Sequence, residues 1–445
     1  MNRLTVRPAE PANLLFRGVH ALDPRAELDG PVDVLVRNGE IAEIGEAGTL
    51  EPDAGVEVVD GAGRHLLPAF FDPHTHLRSP GQEYKEDLDT GTRAAAAGGF
   101  CAVVAMPNTT PPIDSASVVG MLRDEAARVA RVPIGFLATV SRGMDGEELT
   151  EMVELREAGV LGFTDDGFPV ASASLLRRAF QYQRLSGGTI ALHEEDMSLS
   201  GDGVMHEGHV SAALGIAGIP SISESTMIAR DAAIAGYEGG RMHAMHVSCK
   251  EAIEAVETAK ARGVRLTAEA CPHHLTHTDE AVRSLDTRCK MNPPLRSESD
   301  RTALIAALRS GVIDCVATDH APHAAHEKEV PFEEAAMGTT GLETAFAALH
   351  THLVLTGELP LSTLVERMTA GAAVFDLPVP TIARGAPANL TLVDLNAEWM
   401  VGDDGYESRS DNCIYHDDRL QGRVLCTVAA GSVAYRERAF ALSAA

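Results

Sequence analysis

Eight short apolar runs between residues 66 and 318 constrain this chain more than any other feature. They are "LLPAFFD" (66–72), "FCAVVAM" (100–106), "PIGFLAT" (133–139), "VLGFTD" (160–165), "TIALH" (189–193), "MHAMHV" (242–247), "RLTAEA" (265–270) and "IDCVAT" (313–318). Most are followed by helical texture, as in "EDLDTGTRAAAAGG" and "SCKEAIEAVETAKARG". A strand buried on both faces reads as a continuous apolar run, and such strands alternating with helices imply a parallel sheet covered on both sides. Eight such units predict an α/β fold, a (β/α)8 TIM barrel. An open doubly wound sheet is the competing arrangement. It is weakened because no Gly-rich phosphate loop follows any of the runs.

The two ends differ from this middle. "VDVLVRNGEIAEIG" and "VEVVDGAGR" near the start, and "ANLTLVDL" and "GRVLCTVAAGSVAYRE" near the finish, read as strands joined by Gly, Asn and Asp turns. Residues 1–66 and 386–445 are therefore expected to form one small β-rich domain flanking a catalytic barrel of 67–385. The 445 residues, 45% apolar, suffice for a large core. No run of about 18 apolar residues predicts a membrane span, and the first twenty residues lack the apolar core of a secretory signal. Seven scattered cysteines without a CxxC pair read as reduced thiols of a cytoplasmic protein. A net charge of −27 repels nucleic acid and anionic membrane, so neither is an expected partner. It also means that any small anionic substrate must meet a local positive charge.

Catalytic groups of a barrel gather at the C-terminal ends of its strands. After the first run stand His74, His76 and Arg78, in "DPHTHLRSPG". After the second comes Asn108, in "MPNTT". The fourth ends in Asp165 and Asp166, the fifth in His193, the sixth in His246, and the eighth in Asp319, with His320 and His323 close behind. Each is weak alone, since an HxH pair is more often solvated than ligating. His74 and His76, on one face of a strand, can address a common point. Together the four histidines and two aspartates suit zinc and suffice for two metals sharing a bridge, an arrangement that makes a nucleophile at neutral pH. His273, His274 and His277 in "CPHHLTHTD" read as lying outside that site, with one at most facing the barrel mouth. Cys249 reads as a small strand filler, and the acidic "HEEDMS" and "PFEEAA" read as solvated faces.

Taken in order, "DPHTHLRSPGQEYKEDLDTGTRAAAAGGF", "MPNTTPPIDS", "FTDDG", "MNPPLR", "ATDHAPH" and "GLETAF" resemble the amidohydrolase superfamily, and within it the bacterial aspartate-bridged dihydroorotases. The resemblance covers nearly the whole chain. It implies two Zn2+ per subunit: His74, His76 and Asp319 on one, His193 and His246 on the other, and Asp166 between them. Hydantoinases and allantoinases are similar but place a modified lysine at the bridge, and "VLGFTDDG" contains none. The resemblance further implies Asp319 as the catalytic proton carrier. It implies substrate contacts from His76, Arg78, Asn108, Asn292, His323, Met337 and Gly338, with Arg78 and Asn108 gripping the carboxylate of dihydroorotate. The implied reaction is the reversible cyclisation of N-carbamoyl-L-aspartate to dihydroorotate in pyrimidine biosynthesis. A homodimer, and docking on aspartate transcarbamoylase, are the implied assemblies. Ser79 stands where the family often carries an acid, and Gln82 where it often carries an apolar residue. Two bland alternatives stand beside these roles: a surface ion pair of Arg78 with Glu83 or Glu86, and turn capping by Asn292. A non-catalytic scaffold homologue would be expected to lack ligands, and all six are present.

Overall fold

In the computed structural model, which describes residues 3–443, eight parallel strands run in chain order around one sheet. They are β1 (Phe70–Thr75), β2 (Phe100–Ala105), β3 (Ile134–Ala138), β4 (Gly162–Phe163), β5 (Thr189–Leu192), β6 (Arg241–Ala244), β7 (Arg265–Ala270) and β8 (Cys315–Val316). A parallel bridge between Thr75 and His320, where His76 N–H donates to His320 O at 2.8 Å, joins the last strand to the first and closes the barrel. Strand alternation divides the apolar side chains. Phe70, Val103, Phe136, Ile190 and Ala244 pack in one cluster with the surrounding helices. Phe71, Val104, Leu137, Ala191 and Cys315 form a second cluster on the opposite face. Both faces are thus apolar, which is why strands such as Phe100–Ala105 and Ile134–Ala138 read as unbroken hydrophobic runs. Phe136→Ala empties a fully buried ring position; the expected loss is about 3–5 kcal/mol, read by denaturant unfolding.

Helix starts follow their caps. Asp87 Oδ1 accepts from Thr90 N at 2.8 Å to open helix Leu88–Ala97, and Ser297 with Asp300 makes the same reciprocal box at helix Glu298–Ser310.

The run at 66–72 is divided between two sheets. His65–Pro68 pairs with Leu14–Asp23 and with Leu390–Met400, whereas β1 begins at Phe70. Both pieces are buried, so no polar residue marks the change. The second sheet takes strands from both ends of the chain, in the order Ser432–Arg436, Arg419–Ala429, Leu390–Met400, His65–Pro68, Leu14–Asp23, Leu28–Arg37, Glu40–Glu46, with Glu57–Asp60 also beside Leu14–Asp23. Residues 401–418 leave this sheet and lie against the loops that follow the barrel strands: Ser408 Oγ hydrogen-bonds to Glu86, and Asn412 Nδ2 donates to Ala321 O at 3.1 Å. Among the described residues no helix is long and apolar enough to cross a membrane. The seven cysteines are free thiols.

Candidate metal centre

The strand ends bring His74, His76, Asp166, His193, His246 and Asp319 to one point, all of them buried. Asp319 Oδ1 lies 3.0 Å from His76 Nε2 and 3.4 Å from His74 Nε2. Asp166 Oδ2 lies 3.4 Å from His74 Nε2 and 3.3 Å from His76 Nε2. Its other oxygen, Oδ1, faces the second pair, 3.4 Å from His246 Nε2 and 3.7 Å from His193 Nδ1. Those two nitrogens are 3.0 Å apart. Ligands about 2.1 Å from one ion at tetrahedral angles lie roughly 3.4 Å from each other, so each trio is spaced as the edges of a coordination shell. Asp166, a member of the second trio, also turns its Oδ2 to His74 and His76 of the first. His74 Nε2 and Asp166 Oδ1 are buried and make no hydrogen bond among the described residues, as expected of atoms reserved for a cation. Burial opposes charge on His74, yet Asp166, Asp319 and Glu269 raise its pKa well above the usual imidazole range. A carboxylate cluster of that strength calls for positive charge at its centre. The residues present fit a pair of divalent ions.

Three of the four imidazoles are oriented through their other nitrogen. His74 Nδ1 donates to Glu269 Oε1 at 2.7 Å, His76 Nδ1 to Asn108 Oδ1 at 2.9 Å, and His193 Nε2 to Glu195 Oε2 at 3.0 Å. Glu269 also accepts from His243 Nε2 at 2.8 Å. Burial raises its carboxyl, but His74 and His243 outweigh this and hold it at about 2. Asp72 Oδ1 accepts from both His74 N and Thr318 N, at 3.1 Å each, tying the end of β1 to the end of β8. Three site residues, Arg78, His246 and Asp319, hold positive φ angles of 59°, 35° and 48°, a conformation that non-glycine residues keep only where the surroundings enforce it.

Other expected site residues fall around this cluster. Arg78 is 8% exposed, donates through Nε to Pro322 O at 3.1 Å, and forms no ion pair among the described residues, so the surface pairing with Glu83 or Glu86 is absent. Burial lowers its pKa to about 10, so the guanidinium stays charged at neutral pH. Asn292 Nδ2 donates to Glu195 Oε2 at 2.8 Å. His323 Nε2 donates to Met337 O at 2.8 Å, beside Gly338, whose φ is +138° and where a Cβ would stand 2.7 Å from the Ala321 methyl. Asp165 is turned elsewhere, accepting from Val140 N, Ser141 N and Ser141 Oγ at 2.8, 3.1 and 2.6 Å. His320 faces Glu86. His273 and His274 are buried against each other, and His277 packs on Tyr415. One expectation is corrected. "HEEDMS" is not a solvated face: Glu194 and Glu195 are buried, and Glu195 carries the bonds to His193 and Asn292.

A family model described as Dihydro-orotase-like matches residues 63–252. A relative from Anaeromyxobacter dehalogenans named "Dihydroorotase" is 46% identical over 430 residues, covering 95% of this chain and 98% of that one. One of the same name from Syntrophotalea carbinolica is 42% identical over 424 residues, covering 95% and 99%. The chain belongs to the dihydroorotase family. Among solved structures, an L-hydantoinase (dihydropyrimidinase) from Arthrobacter aurescens superposes with a TM-score of 0.84 at 23% identity, covering 95% of this chain and 96% of that one. At that identity the likeness speaks for the barrel alone.

For a dihydroorotase-family chain the groups missed at the level of sequence are Glu269, His243, Glu195 and Asp72. Glu269 left a signal: a carboxylate in the middle of the apolar strand "RLTAEA" is buried only if something pairs with it. Glu269→Gln is expected to weaken zinc affinity about 10- to 100-fold with the barrel still folded, measured by competition with a chromogenic chelator. Unchanged affinity would remove Glu269 from the metal site.

Proposed function

We propose that this chain opens the ring of dihydroorotate and, in the biosynthetic direction, closes N-carbamoyl-L-aspartate into it. The observation that carries the substrate is Arg78, a buried guanidinium without a carboxylate partner beside the six-ligand cluster. On a chain of charge −27 it supplies the local cation that an anionic substrate needs, and its fork matches a carboxylate bidentately. The aspartate at the bridging position supports the same choice over the lysine-bridged cyclic amidases.

His74, His76 and Asp319 would hold one Zn2+, His193 and His246 the other, and Asp166 both. Bound there, the ions supply Lewis acidity and a nucleophile at neutral pH. The chain's own groups do the rest. Asp319 turns Oδ1 to His74 and His76, leaving Oδ2 to take a proton and return it to the leaving ring nitrogen. Asn108 fixes the His76 tautomer and stands with Arg78 toward the substrate carboxylate. Because Met337 O occupies His323 Nε2–H, the ring keeps a bare Nδ1. Burial first, then Arg78, hold that imidazole neutral, at about 2. It therefore accepts, rather than donates, a hydrogen bond from the substrate. Asn292 and the backbone at Met337 and Gly338 complete the ring contacts.

The reading also carries a cytoplasmic location, the homodimer and the transcarbamoylase docking that the resemblance implies. Sedimentation of the purified chain, alone and with the transcarbamoylase, reads the two assemblies. The metal assignment is tested by stripping the protein with a chelator and titrating zinc. Dihydroorotate turnover should vanish and return in full at two equivalents per chain. Full return at one equivalent, or turnover surviving complete removal, would contradict it.

A further inference from the structure

Residues 401–418 connect two strands of the terminal sheet, yet one of their side chains is spent entirely on the barrel mouth. Asn412 is 3% exposed. Its Oδ1 accepts from His323 N at 2.9 Å, and its Nδ2 donates to Ala321 O at 3.1 Å and to Gly338 O at 3.2 Å. Its backbone oxygen accepts from Thr339 Oγ1 at 3.1 Å and from Thr340 N at 3.2 Å. Thr339 Oγ1 in turn accepts from Ile414 N at 2.9 Å. The side chain thus ties 321–323 to Gly338, and its backbone oxygen holds Thr339 and Thr340. These segments carry His323 and Gly338, and Met337 directly precedes the second of them.

The chemistry needs an amide. One acceptor and two donors must be presented at one point: aspartate keeps the acceptor and loses both donors, and alanine loses all three. The clamp is itself held. Glu343 accepts from Glu407 N and Ser408 N at 3.0 and 3.1 Å, and Arg409 Nη1 donates to Glu83 O at 2.6 Å. The gap it sets is narrow, because Gly338 packs so closely on Ala321 and His323 that a Cβ there would meet the Ala321 methyl at 2.7 Å and His323 Nε2 at 3.1 Å. Small changes in this spacing move the His323 ring and the Met337 carbonyl together.

We propose that Asn412 is a positioning residue for substrate: through the two loops it sets the wall formed by His323, Met337 and Gly338. This rests on the assignment of those three residues as substrate contacts. It places a determinant of substrate binding in the segment between two terminal-sheet strands, outside the barrel's own strand-end loops.

The test is steady-state kinetics of zinc-loaded Asn412→Ala and Asn412→Asp on dihydroorotate, with metal content and melting temperature measured alongside. The Asn412 side chain touches the wall and none of the six ligands, so the expected result is a KM raised about tenfold or more with kcat within about threefold, at unchanged metal content. A purely structural role would lower the melting temperature and leave the KM of the folded fraction untouched; that result overturns the proposal. Should the alanine variant not fold, the aspartate variant decides by the same criterion. If the parent chain opens an uncharged ring and not dihydroorotate, the substrate reading falls, and KM for that ring in the same variants still decides the role of Asn412. If the parent opens neither, both fall.

Discussion

Asp166→Asn abolishes ring opening, by at least about a thousandfold, while leaving a folded barrel. The magnitude follows from position. Asp166 is the one group whose two oxygens face both halves of the cluster, 3.3–3.4 Å from His74 and His76 on one side and 3.4–3.7 Å from His246 and His193 on the other. An amide of the same shape presents one oxygen and one N–H2, so it can serve one half and must turn a donor on the other. It also removes the charge that these imidazoles answer: burial alone would raise the Asp166 carboxyl, and His74, His193 and His246 instead hold it well below the usual range. Groups that act as a unit lose nearly all activity when one is removed. The expected readouts are a metal content below two per chain and a circular-dichroism spectrum like that of the parent. Full activity with two metals bound would contradict the bridge. Asp165 could not replace it without releasing the hydrogen bonds it accepts from Val140 and Ser141.

Arg78→Ala lowers kcat/KM for dihydroorotate at least about a hundredfold, the size expected when one partner of a buried charge-assisted pair is truncated. Hydantoin or dihydrouracil, having no carboxylate for the guanidinium to meet, should change within about threefold. The contrast between rings is the informative quantity, because a general disturbance of the loop would slow both. Equal losses on the charged and uncharged rings would remove Arg78 from the carboxylate.

The barrel was legible because its strands are buried on both faces, so that Phe100–Ala105 or Ile134–Ala138 can be nothing but apolar. The six ligands were legible because each stands at or just past the end of such a run. What escaped is what depends on contacts far apart in the chain. His65–Pro68 and β1 read as one run because two different sheets bury them equally. Glu195 looked solvated among three consecutive acids; one of its partners, His193, is two residues away, and the other, Asn292, lies 97 residues away. Asn412 went unread, since nothing in "SRSDNCIYHDD" points to loops some 74 to 91 residues earlier. Spacing along a strand reports which face a side chain takes; it does not report which distant loop will be waiting there.

The most direct measurement is ring opening by the zinc-supplied protein of dihydroorotate beside hydantoin, dihydrouracil and allantoin. Turnover of dihydroorotate in strong preference to the other three is the predicted result, since it alone offers a carboxylate to Arg78. Preferred turnover of an uncharged ring would keep the metal centre and contradict the substrate, and no turnover of any ring, with two metals bound, would contradict the catalytic account as a whole.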